Sequence, residues 1–202
     1  MGKLDGKKVA ILATEGVEQV ELTEPRKAVQ EAGAEVVLLS LEAGDFQGFD
    51  HLDKGETFTA DKAVKDVSAG DFDALILPGG VANPDFLRGD PDAVGFVREF
   101  AASKKPIGVI CHGPWTLVEA GAVKGRTLTS WPTLQTDIRN AGASWVDEEV
   151  HVDNGLVSSR KPDDLPAFCA KIVEEFCEGP HEDAPGVQGE SRFEKQGAGT
   201  AS

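Results

Sequence analysis

The stretch Lys105-Pro106-Ile107-Gly108-Val109-Ile110-Cys111-His112-Gly113-Pro114-Trp115 decides the reading of this chain. The apolar run Ile107 to Ile110 is too short for a buried helix and reads as a strand covered on both faces. Pro114 suits the first turn of a helix, where a missing N–H costs nothing. A thiol therefore stands at a sharp strand-to-helix corner, the arrangement that holds a nucleophile exposed above a sheet. Unpaired N–H groups at the helix start favour thiolate over thiol, which predicts a lowered pKa for Cys111. The competing reading is a cysteine buried only for packing.

The same punctuation recurs on either side of this stretch. Ala74-Leu75-Ile76-Leu77 is a second buried strand, ended by Pro78-Gly79-Gly80. Lys8 to Ala13 and Glu35 to Ser40 are two more, joined by a helical pattern from Val20 to Ala32 that stops at Gly33, which makes a βαβ unit. Pro91 to Ser103, Pro114 to Ala120, Thr133 to Ala141 and Leu165 to Phe176 read as helices, and Val150 to Ser158 as a hairpin turning at Asn154-Gly155. Thr127 to Thr129 is strand-like, and the Gly- and Asp-rich segment 44–70 predicts loops with a short strand or hairpin near Glu56 to Ala60. Alternating strands and helices imply an α/β fold, a flavodoxin-like three-layer sandwich with a mostly parallel central sheet and a nucleophile elbow. Residues 1–179 form one domain in this reading, and 180–202 a polar C-terminal tail without apolar periodicity.

Composition narrows the function classes. The chain has 202 residues and a formal charge of −15, with no run of Lys or Arg longer than a pair, which disfavours nucleic-acid backbones and anionic membrane surfaces as partners. No signal-peptide core and no apolar stretch of bilayer-spanning length occurs, so a cytoplasmic location is expected. Three cysteines, Cys111, Cys169 and Cys177, give an odd count with no CxxC pair, against a disulfide framework. Cys169 and Cys177 share one helix near its end and read as packing residues, as Trp131 and Trp145 read as core or interface anchors. His51, His151 and His181 match no recognised ligand spacing, so no metal and no cofactor is implied.

The segments Ala74-Leu75-Ile76-Leu77-Pro78-Gly79-Gly80 and Ile110-Cys111-His112-Gly113-Pro114 together resemble the PfpI-type intracellular protease and protein deglycase family. Further matches follow at Gly121, Gly125-Arg126, Asn140 to Ala143, Asp147 to Val150 and Ser158-Ser159-Arg160 with Pro162 to Pro166, so the likeness spans about residues 7 to 178. The resemblance implies Cys111 as nucleophile and a glutamate after the first strand as general acid/base, which places Glu18 in the role, with Glu15 and Glu21 as local competitors. It implies a carboxylate from a neighbouring subunit beside His112, best matched by Asp85, and hence a Cys-His-Asp arrangement across the interface of a homodimer or higher homo-oligomer. Backbone N–H groups of Gly80 and His112 are the expected oxyanion hole, with Gly79 and Gly113 lining the substrate site.

Such a site attacks electrophilic carbonyl carbon, and the resemblance implies glyoxalase III-like, deglycase or peptidase activity. A stress-protective enzyme acting on small reactive aldehydes or glycated proteins is the expected function. An intracellular cysteine peptidase and a non-enzymatic redox sensor or stress chaperone, with Cys111 oxidised, are the alternatives. The distant His-x-Glu of glutamine amidotransferases does not occur in the C-terminal third.

Overall fold

The computed structural model describes residues 2–188 and 191–193. In chain order the main elements are β1 (Lys8–Leu12), β2 (Val17–Glu18), α1 (Gln19–Glu31), β3 (Glu35–Ser40), β4 (Gly44–Asp50), β5 (Asp53–Ala60), β6 (Lys62–Ala63), β7 (Ala74–Leu77) and α2 (Ala82–Gly89). They continue with α3 (Pro91–Ala102), β8 (Ile107–Ile110), α4 (Pro114–Glu119), β9 (Thr127–Leu128), α5 (Gln135–Asn140), β10 (Ser144–Trp145), β11 (Val150–Asp153), β12 (Leu156–Ser159) and α6 (Leu165–Glu178).

The central sheet runs β11-β12-β8-β7-β1-β3-β6. Every pairing in it is parallel except β11 with β12, the hairpin that turns at Asn154 and Gly155, both in the left-handed region with φ of 44° and 82°. Two positive φ values in a two-residue turn match the right-handed twist of the flanking strands.

Because strand side chains alternate, the apolar runs feed two cores at once. Val9 and Ile11 of β1, with Ala74 and Ile76 of β7, pack on Leu22 and Val29 of α1 and Phe168 and Ile172 of α6. Ala10, Leu12, Leu75 and Leu77 face the other way, toward Val94, Val97 and Phe100 of α3 and Leu117 of α4. This double burial explains the continuous apolar strands and confirms the three-layer α/β sandwich.

Two regions differ from the sequence expectation, and both shape the site. Residues 44–60 form a full hairpin, β4 with β5, joined by β2 into a separate three-stranded sheet. Its inner face carries the cross-strand pair Phe46 and Phe58, with ring centroids 5.8 Å apart, while Asp53, Lys54, Glu56 and Thr57 are exposed, so the apolar alternation was too sparse to show a long strand. The segment after Pro78-Gly79-Gly80, for which the sequence pattern predicts no element, is the helix α2. Asn83 anchors it: its buried Oδ1 accepts from the Thr14 N–H at 2.8 Å, and its Nδ2 donates to the carbonyls of Pro78 and Gly79. Asn-Pro-Asp reads as a turn in isolation; a tertiary tether makes it a helix start.

Past α6 the chain returns to its own domain. Ala184 is buried, the Arg126 guanidinium donates to the Pro185 carbonyl at 3.3 Å, and that of Arg192 to the Arg88 carbonyl at 2.9 Å. Among the described residues no helix is long and apolar enough to cross a membrane.

Candidate active site

Cys111 follows β8 directly and takes φ of 61°. For a residue with a Cβ this costs about 1–2 kcal/mol, so the surroundings must impose it. They do so through the main chain: the Cys111 N–H donates to the Ser159 carbonyl at 3.1 Å, and its carbonyl accepts from the Trp131 N–H at 2.9 Å. Gly113 closes the corner, its N–H donating to the Ile110 carbonyl at 2.9 Å. A Cβ there would lie 2.6 Å from the Leu77 carbonyl oxygen, so the elbow can form only around glycine.

The carboxyl beside the thiol is that of Glu21, which corrects the expectation for Glu18. Glu21 lies in the first turn of α1, fully buried, interacts through its side chain with Cys111, and accepts the Gly79 N–H on Oε2 at 2.8 Å. Glu18 is the extended residue ahead of the helix, and its side chain goes instead to the β4–β5 turn, where Oε2 accepts the His51 N–H at 3.0 Å. Glu15 is exposed and accepts the Gln47 N–H at 2.9 Å, away from the thiol.

Burial, the largest influence, pushes the Glu21 carboxyl up to about 8, against the lowering effect of its contacts with Cys111 and Gly79. Glu21 therefore holds a proton at neutral pH. In the unfolded chain it ionises near 4.5. Between these two values the native state binds the extra proton, so stability is complete below the lower one and is lost as pH rises through about 8. Replacing Glu21 with Gln should remove this slope: denaturant unfolding from pH 5 to 8.5 is expected to show wild type losing about 2–4 kcal/mol relative to the variant. Parallel curves would place the native carboxyl near its ordinary value.

Burial also raises the Cys111 thiol, and the charge of an ionised Glu21 raises it further, opposed by the N–H groups of Gly80 and His112 that point at the sulfur. The lowered pKa expected from the helix start is thus overturned: desolvation at a site only 5% exposed outweighs the helix N-terminus. Protonation of Glu21 removes the second of these influences, its charge, but not the burial, and the neutral acid can then donate to sulfur.

His112 places Nδ1 3.2 Å from the Cys111 sulfur. Its ring stacks on Trp131, with centroids 5.5 Å apart and planes at 24°, and meets Trp115 edge-on at 5.2 Å. Burial pulls its pKa down to about 4, so the imidazole is neutral and no thiolate–imidazolium pair forms within the subunit. Asp85 is exposed in the first turn of α2. Within this chain the aromatic rings hold His112.

Gly80 lets the main chain approach the sulfur. It has φ of 78°, and a Cβ would lie 2.4 Å from the Gly16 carbonyl oxygen and 2.7 Å from the Glu18 nitrogen. Gly80→Ala is expected to lower unfolding free energy by about 1–3 kcal/mol and to weaken turnover in the fraction that folds, read by chemical denaturation beside initial rates.

A cavity of about 270 Å³ opens over the thiol, walled by Glu18, His51, Leu52, Val81, Trp131 and Pro162 as well as the residues above. Trp131, expected as a core or interface anchor, lines this cavity, as do Leu52 and His51, whose spacing with the other histidines matches no ligand pattern. Of the other thiols, Cys169 is half-buried and pushed up to about 12, chiefly by burial, whereas Cys177 is exposed rather than packed.

The chain matches the DJ-1/PfpI family model over residues 7–175. It is 46% identical over 162 residues to YraA of Bacillus subtilis, which carries a cysteine protease name, covering 80% of this chain and 94% of that one. Identity is again 46%, over 165 residues, to protein/nucleic acid deglycase 2 of Escherichia coli, covering 80% and 93%. A two-domain protein of Anabaena variabilis containing DJ-1/ThiJ/PfpI-like and ferritin-like domains superposes with a TM-score of 0.80 at 33% identity, over 90% of this chain and 51% of that one. This chain therefore spans about half the length of that two-domain protein. With the elbow cysteine, its carboxyl neighbour and the matching sequence together, the chain belongs to the DJ-1/PfpI family.

Proposed function

We propose that this chain is a stress-protective, cysteine-dependent enzyme that acts on reactive carbonyls: small aldehydes such as methylglyoxal, and the early adducts these form on proteins. The observation that carries the reading is the placement of Cys111, protonated Glu21 and the N–H groups of Gly80 and His112 at the floor of a cavity of about 270 Å³. That volume admits a small carbonyl compound or a single modified side chain.

Cys111 sulfur adds to the aldehyde carbon as Glu21 gives its proton to the aldehyde oxygen and takes the proton of the thiol, with the developing oxyanion within reach of the Gly80 and His112 N–H groups. Glu21 then relays the proton from the hemithioacetal carbon to the adjacent ketone carbon through an enediol, leaving a lactoyl thioester on Cys111. Water cleaves the thioester, releasing lactate and restoring the thiol, so methylglyoxal and water are consumed one for one.

The name of the B. subtilis relative favours peptide hydrolysis as a second reading. The two separate when the protein is given the hemithioacetal of N-acetylcysteine with methylglyoxal and, in parallel, casein. Loss of the hemithioacetal without casein cleavage supports the carbonyl reading; Cys111-dependent casein cleavage alone would transfer the assignment to the peptidase.

The active assembly in this proposal is a homodimer in which Asp85 of a second copy orients His112. Supporting it, Asp85 shares α2 with the exposed Phe86, and Val81 beside them is 60% exposed at the cavity mouth. Asp85→Asn is expected to leave a dimer by sedimentation while lowering kcat roughly tenfold; a monomeric wild type, or an unchanged kcat in a dimer, would remove Asp85 from the site.

A further inference from the structure

The end of α6 carries a group of side chains that the carbonyl chemistry does not use. Glu175 and Glu178 lie one turn apart on the helix, and His181 follows where the chain turns away. Their ligating atoms all fall within 4.8 Å of one another. Glu175 is only 7% exposed, yet its buried Oε2 has no hydrogen-bond partner, and neither does the buried Nε2 of His181. These two atoms are 3.2 Å apart, so the shortfall is one of direction rather than distance. Donors that approach so closely without pointing at each other suit a shared third atom.

We propose that Glu175, Glu178 and His181 form a divalent-metal site of the zinc class, separate from the active site. The spacing supports it: bonds of about 2.0 Å from a tetrahedral zinc place neighbouring donors about 3.3 Å apart, close to what the imidazole and carboxylate already hold. One nitrogen and two carboxylate oxygens suit a borderline cation, with water as fourth ligand, better than a hard cation wanting six oxygens. Glu178 is exposed and already offers a carboxylate oxygen within 4.8 Å of the other two donors. The negative end of α6 adds to the attraction for a cation.

The main chain at His181 is fixed on both sides, and its ring packs against the β11–β12 turn. The His181 N–H donates to the Lys104 carbonyl at 3.1 Å, and its own carbonyl accepts from the Ala184 N–H at 2.9 Å. Its ring lies over Gly155, where a Cβ would come within 2.7 Å of Cδ2. A bound ion would therefore clip residues 179–184 to α6 and to the β11–β12 turn, and by mass action would raise the melting temperature of the loaded protein.

The site is tested by titrating full-length protein with zinc against a chromophoric chelator. The Cys111→Ser, His51→Ala background excludes the active-site thiol and the nearby group of Glu18, Asp50 and His51. One equivalent of zinc is expected to bind and to raise Tm, and Glu178→Gln with His181→Ala should weaken it by at least about tenfold while preserving the zinc-free melt. In the otherwise wild-type chain the same two changes should leave methylglyoxal turnover unaltered. Equal zinc affinity with and without these two changes, or no zinc held against the chelator, would overturn the proposal and leave an ordinary Glu175–His181 ion pair.

Discussion

Cys111→Ser is expected to lower kcat/KM for methylglyoxal by about a thousandfold or more while leaving the fold intact. Serine keeps the backbone demand of a φ of 61° and the bonds from Cys111 N–H to Ser159 and from Trp131 N–H to the Cys111 carbonyl, so the elbow survives. What changes is the atom. A hydroxyl ionises far less readily than a thiol, and a neutral His112 and a proton-bearing Glu21 cannot make up the difference as strong bases. Matched thermal melts with a collapsed rate are the expected pair of results; a variant retaining a tenth of the activity would place the nucleophile elsewhere.

Glu21→Gln should be the next most damaging change, costing about 10²–10⁴ in kcat, whereas Glu18→Gln should cost less than about tenfold. Glutamine can still accept the Gly79 N–H and fill the same space, so geometry is retained and only the transferable proton is lost. Glu18 touches the His51 main chain across the cavity and shapes the wall. Its replacement should appear in KM more than in kcat. Initial rates of the two variants under one protocol decide the matter: equal losses would mean that both carboxyls handle protons, and a larger loss at Glu18 would reverse the assignment.

The fold was legible because each buried strand is an uninterrupted apolar run. Ile107 to Ile110 and Ala74 to Leu77 are buried on both faces and carry little that could be misread, and the Asn154-Gly155 turn announces its hairpin. The elbow was legible for the same reason, with Pro114 marking the helix start. What escaped depends on tertiary partners. Helix α2 needs buried Asn83 tied to Thr14, Pro78 and Gly79, and no local pattern encodes that tether.

The choice among Glu15, Glu18 and Glu21 turns on which side of α1 meets the sheet, and the helical register did contain that signal. Leu22 and Pro25 are buried alongside Glu21, whereas Glu18 precedes the first turn. A carboxyl set among apolar positions was the clue to a proton-bearing acid. The thiol pKa runs opposite to the sequence expectation because the sequence shows the helix start but not the depth of burial. His181 gave no spacing signal with His51 or His151 because its nearby donors are carboxylates of the preceding helix, reached at intervals of three residues.

Glutathione-independent carbonyl chemistry by Cys111 with Glu21 is measured as lactate formed from methylglyoxal by the purified protein with no added thiol. Lactate is expected to equal the methylglyoxal consumed, and its formation to be abolished in Cys111→Ser and nearly so in Glu21→Gln. Methylglyoxal left unconsumed by a folded wild type whose Cys111 is readily oxidised by dilute peroxide would contradict it and favour redox sensing.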